Sequence, residues 1–425
     1  MTGNTAIDFL DAAPAPRDEP RWRSQLRDRA WEHFSRHGLP TRRDENWKYT
    51  NLRAIDKGQF TTGSLPPGET SVAPIGADKL AVVSFVDGQV TQRQDAPGLS
   101  LRLSAELGDE DFGLGELVDF DTHPLAALNS AYFDDAVVID VAAGQVFDQP
   151  LLLEYVSTAR PAPVLTCPRV FIRMGANTQL TVVERFVGVD GAANLTNAVT
   201  EVELGTGARL DHYRLQELSD SDKGISLLRA RQHADSRLVA RSIDIGGRLV
   251  RNDVHATLSE PGASCRLSGF YLCLGRQHTD NHTRIDHDAA DTNSDEVYHG
   301  VLGGRARGVF NGKVIVRQDS QRVNANQSNR NLLLSGTAEI DTKPELEIYA
   351  DDVRCSHGAT VGQLDDEALF YLRSRGIGER TARALLTFAF AEEVVRDIEV
   401  DAVRDYLEHQ VALRLPDHER LEKLV

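Results

Sequence analysis

The feature that most constrains the fold of this chain is a spacing that recurs between residues 150 and 362. A turn, a small or polar residue and then an aliphatic residue that opens a strand-like run follow one another repeatedly in this segment. The aliphatic residues are Leu180, Leu210, Leu238, Leu267 and Val297, at successive steps of 30, 28, 29 and 30 residues. A fixed period of this length is typical of stacked repeats, in which each unit buries its apolar face against its neighbours.

Short strand-like runs fill the same segment. They include VFIRM, QLTVVERFV and GKVIVR, which are rich in β-branched and aromatic residues, and no helix-length amphipathic segment interrupts them. Strands repeated at such a period predict a β-helix, or β-solenoid. A β-sandwich whose strands happen to be evenly spaced is the alternative, and the constant period favours the solenoid.

Both ends of the chain have helical patterns instead. Near the N-terminus, Trp22, Leu26 and Phe34 lie at helical spacing and Gly38 follows them. After Gly362 the composition is again helical. We therefore expect a mainly β protein with an N-terminal helical region at residues 1–80, a β core domain at residues 81–362 and a C-terminal helical domain at residues 363–425.

The middle C-terminal helix, predicted from Glu379 to Ile398, is unusually apolar. Its apolar residues include Ala384, Leu385, Phe388, Val394 and Val395. This is more apolar surface than a small three-helix cap needs. A face that binds a partner protein is one explanation, and burial against the chain's own β core is the other.

Composition narrows the classes of function. The 425 residues include 64 acidic and 47 basic side chains, and the net charge of −17 argues against a general affinity for nucleic acid or anionic membranes. We find neither a signal peptide nor an apolar stretch of about 18 residues, so we expect a cytoplasmic protein with no membrane segment. The cysteines are too scattered for a disulfide framework. They are Cys167, Cys265, Cys273 and Cys355.

The closest pairing of cysteine and histidine lies at the junction between the strands and the C-terminal helices. Cys355 and His357 are two residues apart, so in an extended segment both side chains point to the same face. A thiolate beside an imidazole can bind iron or zinc. Two ligands are too few for a closed site, so a metal here needs further ligands from elsewhere, including another chain. A buried structural cysteine and a hydrogen-bonding histidine are the alternative.

A second group of possible ligands precedes this junction. In a strand, His278, Asp280 and His282 share one face, and a His-x-Asp pair with a distant histidine could form the facial triad of a non-haem iron oxygenase. A polar outer face or turn of the solenoid is the alternative.

Two further motifs are expected to carry no chemistry. The run from Gly308 to Lys313 is shorter than a phosphate-binding loop, and Val314 stands where a serine or threonine would bind magnesium. The run from Ser374 to Ala382 is similar to a helix-hairpin-helix turn, but it lacks the flanking basic residues that a DNA backbone requires. We therefore do not expect this chain to hydrolyse nucleotides itself, and a nucleophile elbow of the form G-x-S-x-G is also missing.

A long stretch from Phe310 to Ile377, beginning FNGKVIVRQDSQRVNANQ and ending in ADDVRCSHGATVGQLDDEALFYLRSRGI, resembles the SufB/SufD family of iron–sulfur cluster assembly proteins. The likeness extends to GLPTRRDENWKYTNL and HPLAALNSAYF, so it covers nearly the whole chain, and it is greater to the SufD branch than to the SufB branch. The resemblance implies a right-handed parallel β-helix between helical N- and C-terminal regions. It also implies a cytosolic complex in which the chain pairs with SufB through the β-helix and binds the ATPase SufC through its C-terminal helices.

The resemblance also implies a site. His357, and with it Cys355, match the family's proposed position for iron or a nascent cluster at the interface with SufB. SufB-type chains carry a glutamate where this chain has Gly358, and a cysteine where it has Ala338. We therefore expect a non-catalytic scaffold that holds no cofactor stably by itself and takes iron or a nascent cluster transiently in the complex. A purely structural partner of SufB without a ligand role and a non-haem iron oxygenase remain the alternatives, and the isolated chain could form a homodimer.

Overall fold

The repeat folds into the rungs of a parallel β-solenoid of about eight turns. Each rung contributes one strand to each of two long sheets, because the chain crosses from one sheet to the other at every turn. The predicted β-solenoid is therefore confirmed, and the β-sandwich alternative is wrong. The computed structural model describes residues 13–15, 17, 19–62, 68, 70, 72–76, 80–94, 99–109 and 113–421.

The strands are, in chain order, β1 Ala81–Val86, β2 Gln89–Arg93, β3 Ser100–Leu103, β4 Ala136–Val141, β5 Leu151–Ser157, β6 Leu165–Thr166, β7 Arg169–Met174, β8 Gln179–Gly188, β9 Leu195–Leu204, β10 Arg209–Glu217, β11 Lys223–Gln232, β12 Arg237–Asp244, β13 Leu249–Leu258, β14 Ser264–Cys273, β15 His278–His287, β16 Asn293–Leu302, β17 Arg307–Val316, β18 Val323–Leu333, β19 Glu339–Ile348 and β20 Val353–Gly362. The helices are α1 Arg21–His37, α2 Arg53–Asp56, α3 Pro124–Tyr132, α4 Asp366–Ser374, α5 Glu379–Val395, α6 Asp401–Arg414 and α7 His418–Leu421.

The two sheets run the length of the solenoid. Sheet 1 has the order β2-β1-β5-β8-β10-β12-β14-β16-β18-β20, and sheet 2 has the order β19-β17-β15-β13-β11-β9-β7-β4-β3, with β6 beside β9. The stacked rungs pair in parallel, whereas β1–β2 and β3–β4 at the N-terminal end are antiparallel. Apolar residues on the interior faces of both sheets form one continuous core.

The register confirms the predicted repeat in its first half and corrects it in the second. Leu180, Leu210 and Leu238 stand opposite one another on successive rungs. Leu238 then pairs with Cys265 and not with the predicted Leu267. Val297 also pairs with Ser268, so it misses the column of Leu267 by one residue. Cys265 is buried in the core, and a search for aliphatic residues alone passes over such a position.

Left-handed backbone recurs at one corner of the solenoid. Six successive turns from sheet 2 to sheet 1 each contain one residue with φ between 56° and 78°, namely Asn177, Gly207, Asp235, Gly262, Asp291 and Arg322. A Cβ added to Gly262 would lie 2.1 Å from Oδ1 of Asp235 on the preceding rung. The positive φ favours glycine at position 262, and the lack of space beside Asp235 excludes a larger residue unless that side chain moves.

The N-terminal helices pack on the outer face of sheet 2. Leu26 and Phe34 of α1, the neighbouring Trp47 and residues of α3 share one apolar cluster with Phe171 and other strand residues. This cluster seats α1 and α3 against the solenoid.

The C-terminal helices pack on the outer face of sheet 1. Ala384, Phe388, Val394 and Val395 of α5 are buried in a cluster with strand residues such as Phe270. Most of the apolar surface of α5 is therefore explained by burial against the chain's own β core. None of the helices in the described ranges combines the length and apolar composition needed to cross a lipid bilayer.

Candidate functional site

One end of the solenoid is uncovered. Within the described part of the chain, β19 and β20 are the last strands of the two sheets, and each has a ladder neighbour on one side only. Residues 356–362 of β20 are all exposed. Proteins usually cover, shorten or charge such edges because their free backbone groups can pair with another strand. Within the described residues, this end therefore presents two strand edges without a further strand beside them.

Cys355 and His357 lie on β20 at this end. They pair in register with Ala325 and Gln327 of β18, whose side chains are buried inside the solenoid, so both predicted residues are on the interior-facing side of the last rung. Cys355 is half-buried against the core, whereas His357 is exposed. Burial raises the pKa of the Cys355 thiol above its ordinary value, although a backbone hydrogen bond at Ala325 acts in the opposite direction. The thiol form is therefore favoured in the free chain.

A complete metal site is not found within this chain. Among the residues that the structure describes, no group of three or more His, Cys, Asp or Glu side chains is arranged to hold a metal ion. A metal bound at Cys355 and His357 would need ligands from outside the chain, because these two residues fill only part of a coordination sphere.

Two polar residues lie beneath His357 in the solenoid interior. Glu296 of β16, Gln327 of β18 and His357 of β20 stand opposite one another on the last three rungs. Glu296 and Gln327 are buried, and Gln327 Nε2 donates a hydrogen bond of 2.6 Å to Glu296 Oε2. Burial raises the pKa of Glu296 to about 7, although the hydrogen bond from Gln327 acts to lower it. Sequence reasoning missed this pair because about thirty residues separate the rungs, as expected for a solenoid.

The group around Asp280 holds the N-terminal region and does not form an open metal site. Asp280 is fully buried; Arg251 Nη1 donates to its Oδ2 at 3.1 Å, and His282 Nε2 lies 3.0 Å from its Oδ1. Thr50 also donates to Asp280 and lies 2.8 Å from His278 Nε2. Burial acts to raise the pKa of Asp280, but the charges of His282 and Arg251 hold it well below its usual value. These contacts support the polar outer-face interpretation.

A second histidine cluster, which sequence reasoning did not find, joins α3 to sheet 2. His123 Nε2 lies 3.0 Å from His255 Nδ1, and His255 Nε2 lies 2.6 Å from Asp286 Oδ2. Burial lowers the pKa of His255 to about 4, although the hydrogen bond with Asp286 acts to raise it. Burial and the nearby His255 lower the pKa of His123 to about 3. Both imidazoles are therefore neutral in the folded chain at neutral pH.

Acidification is expected to destabilise the fold through this cluster. The pKa of His255 is lower in the folded than in the unfolded chain, so stability present above about pH 6.5 is lost as the pH falls toward 4. For His255 alone, the loss between about pH 7.5 and about pH 5 is about 2 kcal/mol. Urea unfolding at the two pH values measures it. A His255→Gln variant should show a smaller difference in midpoint, and an equal difference in both proteins would contradict the assignment to His255.

The C-terminal helices present one exposed aromatic surface. Phe370 and Tyr371 of α4 are 73% and 57% exposed, while the neighbouring Leu369 packs inward. Asp365 caps this helix by accepting a hydrogen bond from the Glu367 backbone N–H at 2.9 Å. The exposed aromatic face of the C-terminal helices is therefore on α4 and not on α5.

Family comparisons agree with this architecture. The model described as "SUF system FeS cluster assembly, SufBD core domain" matches residues 155–390, and the model of the "SufBD protein N-terminal region" matches residues 18–64. The first match spans the stacked rungs, the uncovered end and most of α5. The second spans α1, α2 and the segment that carries Thr50.

Whole-length relatives point to the same family. The chain is 30% identical over 392 residues to the iron-sulfur cluster assembly protein SufD of Escherichia coli (strain K12), and the alignment covers 91% of each protein. It is 31% identical over 425 residues to the chloroplastic protein ABCI7 of Arabidopsis thaliana, with 95% of this chain and 88% of the relative covered. It is 25% identical over 429 residues to SufD of Bacillus subtilis (strain 168), with 94% and 95% covered. From the core match and these full-length similarities, the chain belongs to the SufB/SufD family of iron–sulfur cluster assembly proteins.

Proposed function

We propose that this chain is a non-catalytic scaffold subunit of a cytoplasmic iron–sulfur cluster assembly complex. It pairs with a SufB-type subunit at the uncovered end of the solenoid and binds a SufC-type ATPase through its C-terminal helices. The observation that carries the proposal is the position of His357 and Cys355 on the interior-facing side of an uncovered last rung. A cluster or iron ion held there would lie between two chains.

The edge chemistry favours β20 over β19 as the docking strand. Pro344 in β19 lacks an N–H and cannot donate to an added strand. The outward positions of β19 carry charged residues, which also discourage strand addition. They are Glu339, Asp341, Lys343, Glu345 and Glu347. β20 has no proline and carries one charged outward residue, Arg354. A homodimer of the isolated chain is also compatible with this surface, because a second copy of the chain could pair through the same β20 edge.

The ligand role falls mainly on His357. Its exposed imidazole can offer a ring nitrogen to iron, which is the substrate of assembly here, while the partner supplies thiolate or carboxylate ligands. Cys355 is half-buried with a raised pKa, so it requires deprotonation before it can bind metal. His357 is therefore the primary candidate and Cys355 the secondary one.

The C-terminal helices connect the proposed ATPase surface to the rungs next to β20. On α5, the ring of Phe390 stacks on His299 of β16 at 4.8 Å, and Glu393 pairs with Arg330 of β18 at 2.5 Å. Movement of α4 and α5 driven by the ATPase would therefore act on β16 and β18. ATP hydrolysis itself is assigned to the partner, because the run from Gly308 to Lys313 lies within strand β17 and does not form a loop.

Cluster assembly in the co-expressed complex tests the proposal. We expect His357→Ala to abolish most of the iron–sulfur absorbance while gel filtration shows that the subunits stay together. Ser356→Ala is the matched control, since Ser356 is exposed on the other face of β20 and bonds only to Asn326 among the described residues. Unchanged absorbance in His357→Ala would reduce the chain to a purely structural partner. Oxygen consumption by the isolated chain, lost in Asp280→Asn, would instead support the oxygenase alternative.

A further inference from the structure

The interior column beneath His357 has a fixed direction of hydrogen bonding. Glu296, Gln327 and His357 occupy the same interior position on three successive parallel strands, which are about 4.8 Å apart. Side chains at matching positions of neighbouring strands are therefore immediate neighbours. Glu296 is 1% exposed and Gln327 3% exposed, so only the last member of the column reaches the uncovered end.

The carboxylate determines which way the Gln327 amide points. When Glu296 is ionised its carboxylate only accepts hydrogen bonds, so the amide nitrogen of Gln327 then faces Glu296, as in the 2.6 Å contact. The amide oxygen then points away from Glu296. This Oε1 is buried and accepts no hydrogen bond from any group in the described part of the chain. Buried carbonyl oxygens normally have a hydrogen-bond donor, and His357, which stands opposite Gln327 on the last rung, is the next side chain of the column that carries one.

We propose that Gln327 is a positioning residue for His357: the His357 ring, which makes no hydrogen bond to Gln327 in the structure, turns toward the interior so that Gln327 Oε1 accepts the N–H of one ring nitrogen, and the lone pair of the other nitrogen is then directed outward at the uncovered end. Histidine ligands are generally oriented in this way by a hydrogen bond on the second ring nitrogen. This inference rests on the proposed function in one respect only, namely that the outward nitrogen binds iron or a nascent cluster. The selection of one neutral tautomer is a property of the chain alone.

Glu296 acts one step further from the ligand. Its pKa of about 7 means that it is mostly ionised at about pH 8, where it can only accept from Gln327. A glutamine at position 296 could either donate or accept, so it would no longer fix the direction of the Gln327 amide. The charge state of Glu296 therefore affects the orientation of the Gln327 amide and, through it, the tautomer of His357.

The tautomer of His357 can be measured by NMR on the full-length isolated chain with ¹⁵N-labelled histidine at about pH 8. The resonances of His357 are identified by their loss in His357→Asn. We expect widely separated shifts for its two ring nitrogens in the wild type. In Gln327→Leu the two shifts should move toward each other, and in the nearly isosteric Glu296→Gln they should move part of the way. Asn326→Ala, on the outward face of the same strand, is the control and should leave the shifts unchanged.

Outcomes separate this inference from the proposed function. Ring-nitrogen shifts that do not respond to Gln327→Leu, in a variant with wild-type circular dichroism and elution volume, would overturn the positioning role. If the shifts respond but His357→Ala leaves cluster assembly intact, the positioning contact stands and the ligand role fails. With both correct, Gln327→Leu should weaken iron binding by the assembled complex by roughly tenfold or more.

Discussion

If the C-terminal helices bind a SufC-type ATPase as proposed, replacing Phe370 with aspartate is expected to weaken that binding by at least about thirtyfold. The reason is that large aromatic side chains at the centre of an interface often contribute 2 kcal/mol or more, which is about thirtyfold in affinity. Phe370 is 73% exposed, and within the described residues no other large apolar side chain is as exposed. An aspartate would replace this exposed apolar ring with a charge that an apolar surface on the proposed partner would have to desolvate. Calorimetric titration of the purified chain with the ATPase measures the change.

Because Phe370 is exposed, its replacement should change binding without changing the stability of the chain. Since Phe370 contributes little to the chain's own core, the variant should unfold at the wild-type urea midpoint. Leu413→Asp on α6 is a matched control, because Leu413 is also exposed, at 40%, on a C-terminal helix. Equal affinity of Phe370→Asp and wild type would show that the ATPase docks elsewhere. Equal loss in both variants would point to a general effect of added charge.

Removing the carboxylate of Glu201 is expected to have the largest effect on stability. Glu201 on β9 is fully buried and pairs with Arg169 of β7, which is also fully buried. It also accepts hydrogen bonds from the backbone N–H groups of Gly115 and Leu117 at 2.8 and 3.1 Å. In Glu201→Ala the guanidinium of Arg169 keeps its charge in the interior, where breaking a buried pair costs about 3–5 kcal/mol. Urea unfolding of wild type and variant gives the difference.

Two comparison variants identify the source of that loss. Glu32→Ala removes an exposed partner of Arg36 on α1 and should cost only a few tenths of a kcal/mol. A double variant, Arg169→Met with Glu201→Met, removes both charges and should recover part of the stability. A double variant as unstable as Glu201→Ala would mean that the backbone hydrogen bonds to Gly115 and Leu117, and not the charge, dominate.

The repeat was the part of the fold that sequence could predict well. Equivalent positions on neighbouring rungs are separated by a nearly constant number of residues. The aliphatic residues Leu180, Leu210 and Leu238 occupy such equivalent positions and so reveal the spacing in the sequence. The error at Leu267 arose because the next interior positions are Cys265 and Ser294, and a pattern of aliphatic residues does not detect them. Interior polar residues are tolerated here because they hydrogen-bond inside the solenoid, as Ser294 does with His287 at 2.9 Å.

The candidate site was predictable in its residues but not in its surroundings. Spacing alone places Cys355 and His357 on one face of a strand. Cys355 packs against the apolar core whereas His357 is exposed on the same strand, and no local sequence pattern reveals this difference in packing. Gln327 and His357 each lie about one repeat length after the preceding member of the column that begins at Glu296. The column could therefore be found in the sequence once the register was known. The apolar face of α5 stayed ambiguous because helix periodicity does not say which surface covers it.

The stacking of the rungs gives the molecule a stability that varies along its axis. Each inner strand of the solenoid has a ladder neighbour on both sides, whereas β19 and β20 have one on a single side. In such linear arrays the stability of a unit is roughly its own plus that of its contacts with neighbours, so the terminal rung is the easiest to open. A partner that adds a strand to β20 supplies the missing neighbour and is linked to folding by mass action. Ordering of the rung that carries His357 and formation of the complex are then two aspects of one equilibrium.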